Sequence, residues 1–328
     1  MYVIFDTNVY RRIGQKCFDE VLEREREHSI VGLCNPWTAV ELLAHLANPE
    51  DNDFNECWCA IRRLVQRCSQ LHNKSMAVSF LPDAQSQRCK ILFGNMPNGV
   101  EEQAHFDGLL LLKIAGAESL ADLQIYQSQI NEVAKRHKQA KNDFQKAVLN
   151  YIRLFVPSAT SWNAINSDST LRNKVLKTLD DPVVNRSIFA FLVDEAATCL
   201  GMKLSLSHRE ERIDFAMRAF AIPIEFAFSS IYKKIVDGAN FSKSKNVNSS
   251  EDFQILFSVS SEADIDGKQV CLITDENQIQ KAAKNCGSPS LVRSMLEYLD
   301  FLGVDPTICD KMNLPVSKKP NRNFQTPI

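Results

Sequence analysis

The sequence predicts an α/β fold with a central parallel sheet, split in two by a large all-helical insertion. Three observations carry this. Short apolar runs near each end of the chain stop on polar residues. Helical periodicity follows each of them. Between residues 48 and 245 the strand signal disappears while helical spacing persists.

Val3, Ile4 and Phe5 read as a short buried strand that stops at Asp6. A charged helical stretch covers residues 15–28, and Ser29–Cys34 reads as a second buried strand. Asn35 then caps a helix whose first position is Pro36, where a missing N–H costs nothing. That helix runs to about Ala47. Strand–helix–strand–helix is the rhythm of a parallel sheet.

From about residue 50 to 245 no strand is expected. Apolar residues from Leu120 through Tyr126, Val133, Phe144 and Tyr151 to Phe155 keep helical steps, spelling one long amphipathic helix closed by Pro157. Further helices are expected at 183–200 and 208–238, the latter kinked at Pro223. The polar stretch at 240–250 reads as a boundary. A short helix at 250–258, a third strand over Gln269–Ile273 and a helix from Glu276 to Asn285, stopped by Gly287, restore the α/β rhythm. An edge strand within 289–292 and a helix at 292–302 complete it. The predicted division is an α/β core of 1–47 and 246–309, an insertion of 48–245, and a loosely held tail of 310–328.

Composition narrows the function. A 45% hydrophobic, 24% charged chain is ordinary for a soluble globular protein. The net charge of −2 excludes a global basic field, so any nucleic-acid binding must come from a local patch. The longest apolar stretches, Gly108–Ile114 and Ser187–Val193, are too short to span a bilayer. Ten cysteines are scattered, and the first strand leaves no room for a secretory leader. Reduced thiols in a cytoplasmic protein are therefore expected. Cys57, Cys59, Cys68 and His72 match no common zinc spacing.

Two predicted strands end on carboxylates, at Asp6 and at Thr274-Asp275. In open parallel sheets ligands bind beyond the carboxyl ends of the strands. Glu41, in the helix after the second strand, can face the same crevice, and Asp252 lies in the first turn of the helix before the third. Packed carboxylates raise one another's pKa values, and a divalent cation relieves the repulsion. Mg²⁺ and Mn²⁺ prefer such oxygen ligands. Each acid also has a structural reading. Asp6 and Asp275 could cap the helices that follow them, Glu41 could be a solvated helix residue, and Ser249 with Asp252 resembles a capping box. Asp194 is the substitute third acid.

The order of these acids resembles the PIN domain family of metal-dependent nucleases. The resemblance rests on Ile4-Phe5-Asp6-Thr7-Asn8, Thr38-Ala39-Val40-Glu41, Ser250-Glu251-Asp252 and Leu272-Ile273-Thr274-Asp275-Glu276. It covers residues 1–47 and 246–302 and is closest to the larger bacterial members with a helical middle. It implies a PIN-like three-layer fold and a Mg²⁺- or Mn²⁺-dependent endoribonuclease. Asp6, Glu41, Asp252 and Asp275 would be its catalytic, metal-binding acids. Thr7, Asn8, Thr274 and Glu276 would support them.

The implied substrate is RNA, single-stranded or structured, tRNA included. A toxin partnered by an antitoxin or regulatory protein, a phage-defence effector and an RNA-processing enzyme would look alike, and a homo-oligomer fits each. Arg11, Arg12, Lys135, Arg136, Lys138 and Lys141 are the candidate RNA contacts, against the alternative of solvated helix faces. Two competing functions are a phosphatase, which needs a second Asp where Asn8 stands, and a catalytically degenerate PIN domain serving as an RNA-binding or regulatory scaffold.

Overall fold

The computed structural model describes residues 1–72, 75–98, 100–238, 249–260, 262 and 268–309. The tail at 310–328 and most of the polar boundary at 240–250 lie outside them. The chain begins with strand β1 (Tyr2–Phe5), helices α1 (Thr7–Arg12) and α2 (Gln15–Glu27), strand β2 (Val31–Gly32) and helix α3 (Pro36–His45). Asn35 caps α3 through its side chain, with Pro36 in the first turn, as expected. Next come α4 (Phe54–Cys68), a hairpin of β3 (Ser69–His72) and β4 (Ser75–Val78), α5 (Ala84–Phe93), α6 (Val100–Ala115), α7 (Leu120–Gln124) and α8 (Gln127–Phe155). Helices α9 (Trp162–Ser167), α10 (Ser169–Leu179), α11 (Pro182–Cys199), α12 (Leu206–Ala219) and α13 (Ala221–Val236) complete the helical middle. Helix α14 (Ser249–Leu256), strand β5 (Val270–Ile273), α15 (Asn277–Asn285), β6 (Val292–Arg293) and α16 (Met295–Leu302) return to the sheet.

The chain is mostly helical, around a small parallel sheet in the order β2-β1-β5-β6. Tyr2 to Phe5 pair with Val270 to Ile273, and Tyr2 and Val3 also pair with Val31 and Gly32. Strand alternation sends Val3, Phe5, Cys271 and Ile273 into one core, covered by α1, α2, α3, α4 and α16. Ile4, Val270 and Leu272 enter a second core beneath α13, α14 and α15. Helices therefore cover both faces, as a parallel sheet requires. Beyond β2, Cys34 forms a parallel bridge with Phe80, so the segment leaving the β3–β4 hairpin joins the sheet edge. Among the described residues no helix is long and apolar enough to cross a membrane.

Several expectations need correction. The helical middle holds the β3–β4 hairpin and the Phe80 bridge. The hairpin's alternation is too short to stand out from helical spacing. The long amphipathic helix is two, α7 and α8, separated at Ile125 and Tyr126. The 208–238 helix breaks at Phe220 rather than at Pro223, which occupies the first turn of α13, where proline is tolerated. The core does not end at residue 47. Phe54, Ile61 and Leu64 of α4, Leu111 of α6 and Val133 of α8 share one apolar cluster with β1. Cys17 and Cys309 form a disulfide, against the expectation of reduced thiols throughout. Their separation of 292 residues gives no local spacing to flag it, and both lie in the β1-side core.

Candidate active site

Asp6 follows β1 directly, and its N–H still donates to Ile273 O at 3.0 Å. Its backbone is extended, and Oδ1 accepts from Thr7 N at 2.7 Å, capping α1. The other oxygen, Oδ2, accepts from the Thr274 hydroxyl at 2.9 Å. The carboxyl is thus fixed from both sides and is only 4% exposed. Thr7, also buried, donates its hydroxyl to Glu41 Oε2 at 2.6 Å. Glu41 stands in α3, whose Thr38 hydroxyl reaches Phe5 O at the end of β1. The side chain of Asn8 is half-buried.

At the end of β5 two adjacent acids have different partners. Asp275 Oδ1 accepts from Met295 N at 3.0 Å and so serves the first turn of α16. Glu276 donates its N–H to the Thr274 hydroxyl at 3.1 Å, and its charge acts on Asp6 and on Asp252. The charges of Glu41 and Glu276 act on Asp6 and Asp252, whereas Asp275 is engaged through Oδ1 by the start of α16.

The electrostatics report how tightly these acids crowd. Burial, then Glu41, push the Asp6 carboxyl up to about 7, against the opposing hydrogen bonds from Thr274 and Thr7. Asp252, on α14, is raised well above the usual carboxylate range by loss of hydration and then by Asp6, Glu276 and Glu41. Ionisation of Asp6 and of Asp252 is thus opposed by burial and by the same neighbouring charges.

The remaining candidates sort differently. Asp194, the substitute acid, is held in a two-pronged ion pair by Arg209, with both contacts at 2.7 Å. Arg11 is spent on Asp53 at 2.6 Å and on Glu56 at 3.2 Å, tying α1 to α4. Arg136 pairs with Asp107 at 2.8 Å and Lys141 with Glu251 at 2.6 Å. Only Arg12, Lys135 and Lys138 of the proposed RNA contacts stand exposed. Cys57 and Cys68 are buried free thiols and Cys59 an exposed one.

One group was missed. His45 Nδ1 lies 3.0 Å from Asp51 Oδ2, and Asp53 follows two residues on. Among the described residues, His45, Asp51 and Asp53 offer ligand atoms all within 4.8 Å of one another and could hold a metal ion. Arg11 already contributes a cation there. Among the described residues, no three of Asp6, Glu41, Asp252 and Glu276 offer ligand atoms that all lie within that distance.

No family model, curated protein or solved structure matches the chain.

Proposed function

We propose that the chain is a Mg²⁺- or Mn²⁺-dependent nuclease of the PIN type that cleaves RNA. One observation carries this: Asp6 is buried, clamped by Thr7 and Thr274, and raised to about 7 by that burial and then by Glu41. A buried carboxylate held ready but penalised for its charge is arranged for a cation. The donor set fits a hard divalent ion, being all carboxylate oxygen. Mg²⁺ keeps several waters and takes few carboxylates directly, so not all of these acids need touch the ion.

Asp6, Glu41 and Asp252 would hold the ion, with Glu276 at the exposed rim. When bound, it would activate water and steady the leaving oxygen of a phosphodiester. The chain's own groups orient the site. Thr274 fixes Asp6 Oδ2, Thr7 fixes Glu41 Oε2, and the Thr7 amide fixes Asp6 Oδ1. The PIN reading also gains support from the strand order. With the Phe80 bridge counted, the parallel arrangement runs outward from β1 as successive βα units on both sides. The choice of RNA rests on the family resemblance.

A degenerate domain that binds RNA without cutting is favoured by one fact, the diversion of Asp275 to Met295. Cleavage of mixed single-stranded RNA in Mn²⁺, by the wild type and by Asp6→Asn and Asp252→Asn, separates the readings. Both variants should lose at least about 100-fold, since even groups behind a metal's ligands are worth 10–100-fold. Wild-type cleavage by either variant ends the nuclease reading for that acid.

A further inference from the structure

We propose that α8 is the strut that positions Asp252 against Asp6, acting through Glu251, His137 and Lys141. This rests on reading Asp252 as an acid of the metal site.

Helix α14 has only eight residues, too few to hold an orientation by itself. Its anchor is Glu251, 3% exposed. Glu251 Oε1 lies 2.7 Å from His137 Nε2 and 2.6 Å from Lys141 Nζ. Its other oxygen accepts from the Ser250 hydroxyl at 2.9 Å. One turn farther along α8, the Phe144 ring meets the Phe253 ring with centroids 5.5 Å apart. His137, Lys141 and Phe144 stand at i, i+4 and i+7, so one face of α8 grips α14 along two turns.

Successive residues of a helix point about 100° apart. Fixing Glu251 toward α8 therefore fixes the rotation of α14, and with it the direction of Asp252. The N-terminal half of α8 has a second task. It packs on α3, the helix that carries Glu41, with Ile130 and Val133 in the same core as Leu42 and Leu43. Gln127 Nε2 also donates to Ala47 O beyond the end of α3, at 3.2 Å. One helix of the middle segment thus touches both helices that deliver acids to β1. The basic stretch of α8 has two faces, and the one bearing Lys141 is a docking face rather than an RNA rail.

Lys141, His137 and Glu251 are positioning residues, since they reach the crevice only through α14. The test uses the full chain and Mn²⁺ as probe, with affinity read by electron paramagnetic resonance. Hydrogen exchange of the α14 amides and melting in EDTA accompany it. Lys141→Met and His137→Leu should weaken Mn²⁺ binding about 10–100-fold, as removal of groups behind a metal's ligands does. Both should also speed exchange across Ser249–Leu256. Lys141→Arg should restore both readings, which a loss of general stability would not do. Lys146→Met, on the exposed face of α8, should change neither.

If Lys141→Met does not fold, Phe144→Leu removes only the ring contact on the same face and is read the same way. Folded clasp variants that bind Mn²⁺ as tightly as the wild type overturn the proposal, and so does unchanged exchange in α14. A wild type that binds no Mn²⁺ overturns the metal-site reading instead. The exchange comparison still decides whether α8 holds α14.

Discussion

The Thr7 hydroxyl donates to Glu41 Oε2 at 2.6 Å, joining the first residue after the Asp6 cap to the acid of α3. The Thr7 side chain is buried and Glu41 is half-buried. Thr7→Val keeps the shape and removes the donor. On the proposed nuclease reading it should lower cleavage about 10–100-fold, while Thr7→Ser keeps most of the activity. Rates of both variants at saturating Mn²⁺ check this. Equal rates for Thr7→Val and wild type would mean that Glu41 needs no orientation.

Gly32 is fixed by a neighbour rather than by its backbone. A Cβ there would stand 2.8 Å from Arg67 Cγ and 3.0 Å from its Cζ. Arg67 cannot step aside. It pairs with Glu25 through three hydrogen bonds of 2.7–3.1 Å, donates to Val3 O at 3.2 Å and lies over the Phe5 ring. Tyr298 donates to the same Glu25 at 2.6 Å. Gly32→Ala should therefore cost about 1–3 kcal/mol through overpacking. It would be read as a lower urea midpoint at an unchanged slope. A wild-type midpoint would show that the guanidinium has room to shift.

Much of this was legible in the sequence, and the failures share a cause. Strand β1, strand β5, the Asn35 cap and the Gly287 stop are local signals, and each appears within a residue or two of its expected place. The places of Asp6 at a strand end and of Glu41 in the following helix are local signals of the same kind. The bond from Met295 N–H to Asp275 Oδ1 joins residues 20 apart, which no local spacing reports. The Cys17–Cys309 bond, the core role of α4 and the Glu251 clasp join residues far apart in the chain. No periodicity reports such pairs. His45, Asp51 and Asp53 are close in sequence, yet the turn that gathers them was not recognised.

The cysteines give a chemical check on the core. Eight of the ten are free and one pair is bonded, so denatured, unreduced protein should take up eight alkylating groups. In the folded state the exposed Cys59 and Cys199 should react first. Burial pushes the thiols of Cys57 and Cys89 up to about 12, and of Cys271 and Cys286 to about 11, so they should lag. Cys17→Ser should lower stability by about 2–5 kcal/mol, since the bond closes nearly the whole chain. Uptake of ten groups without reductant would remove the disulfide.

Asp6 carries the clearest pH signature. Its carboxyl titrates near 3.8 when unperturbed and at about 7 in the fold, raised by burial first and then by Glu41. Between those values the folded chain keeps a proton that the unfolded chain has released. Stability in EDTA should therefore fall as pH rises from about 4 to about 7, then level off. At about 1.4 kcal/mol per pH unit the ceiling is about 4 kcal/mol. Asp252, raised by the same neighbours, adds to the same slope. Asp6→Asn removes its own part of it. Asn caps a helix about as well as Asp, so the variant at pH 8 without metal should match or exceed the wild type. Mn²⁺ reverses the order. At a hundredfold excess over Kd the wild type gains about 2.7 kcal/mol, and the variant gains less. Urea melts of both proteins at pH 5 and pH 8, in EDTA and in Mn²⁺, read every arm. A wild type whose EDTA stability does not drop relative to the variant between those pH values would show that the Asp6 charge is not opposed in the fold. Asp6 would then be no more than the cap of α1.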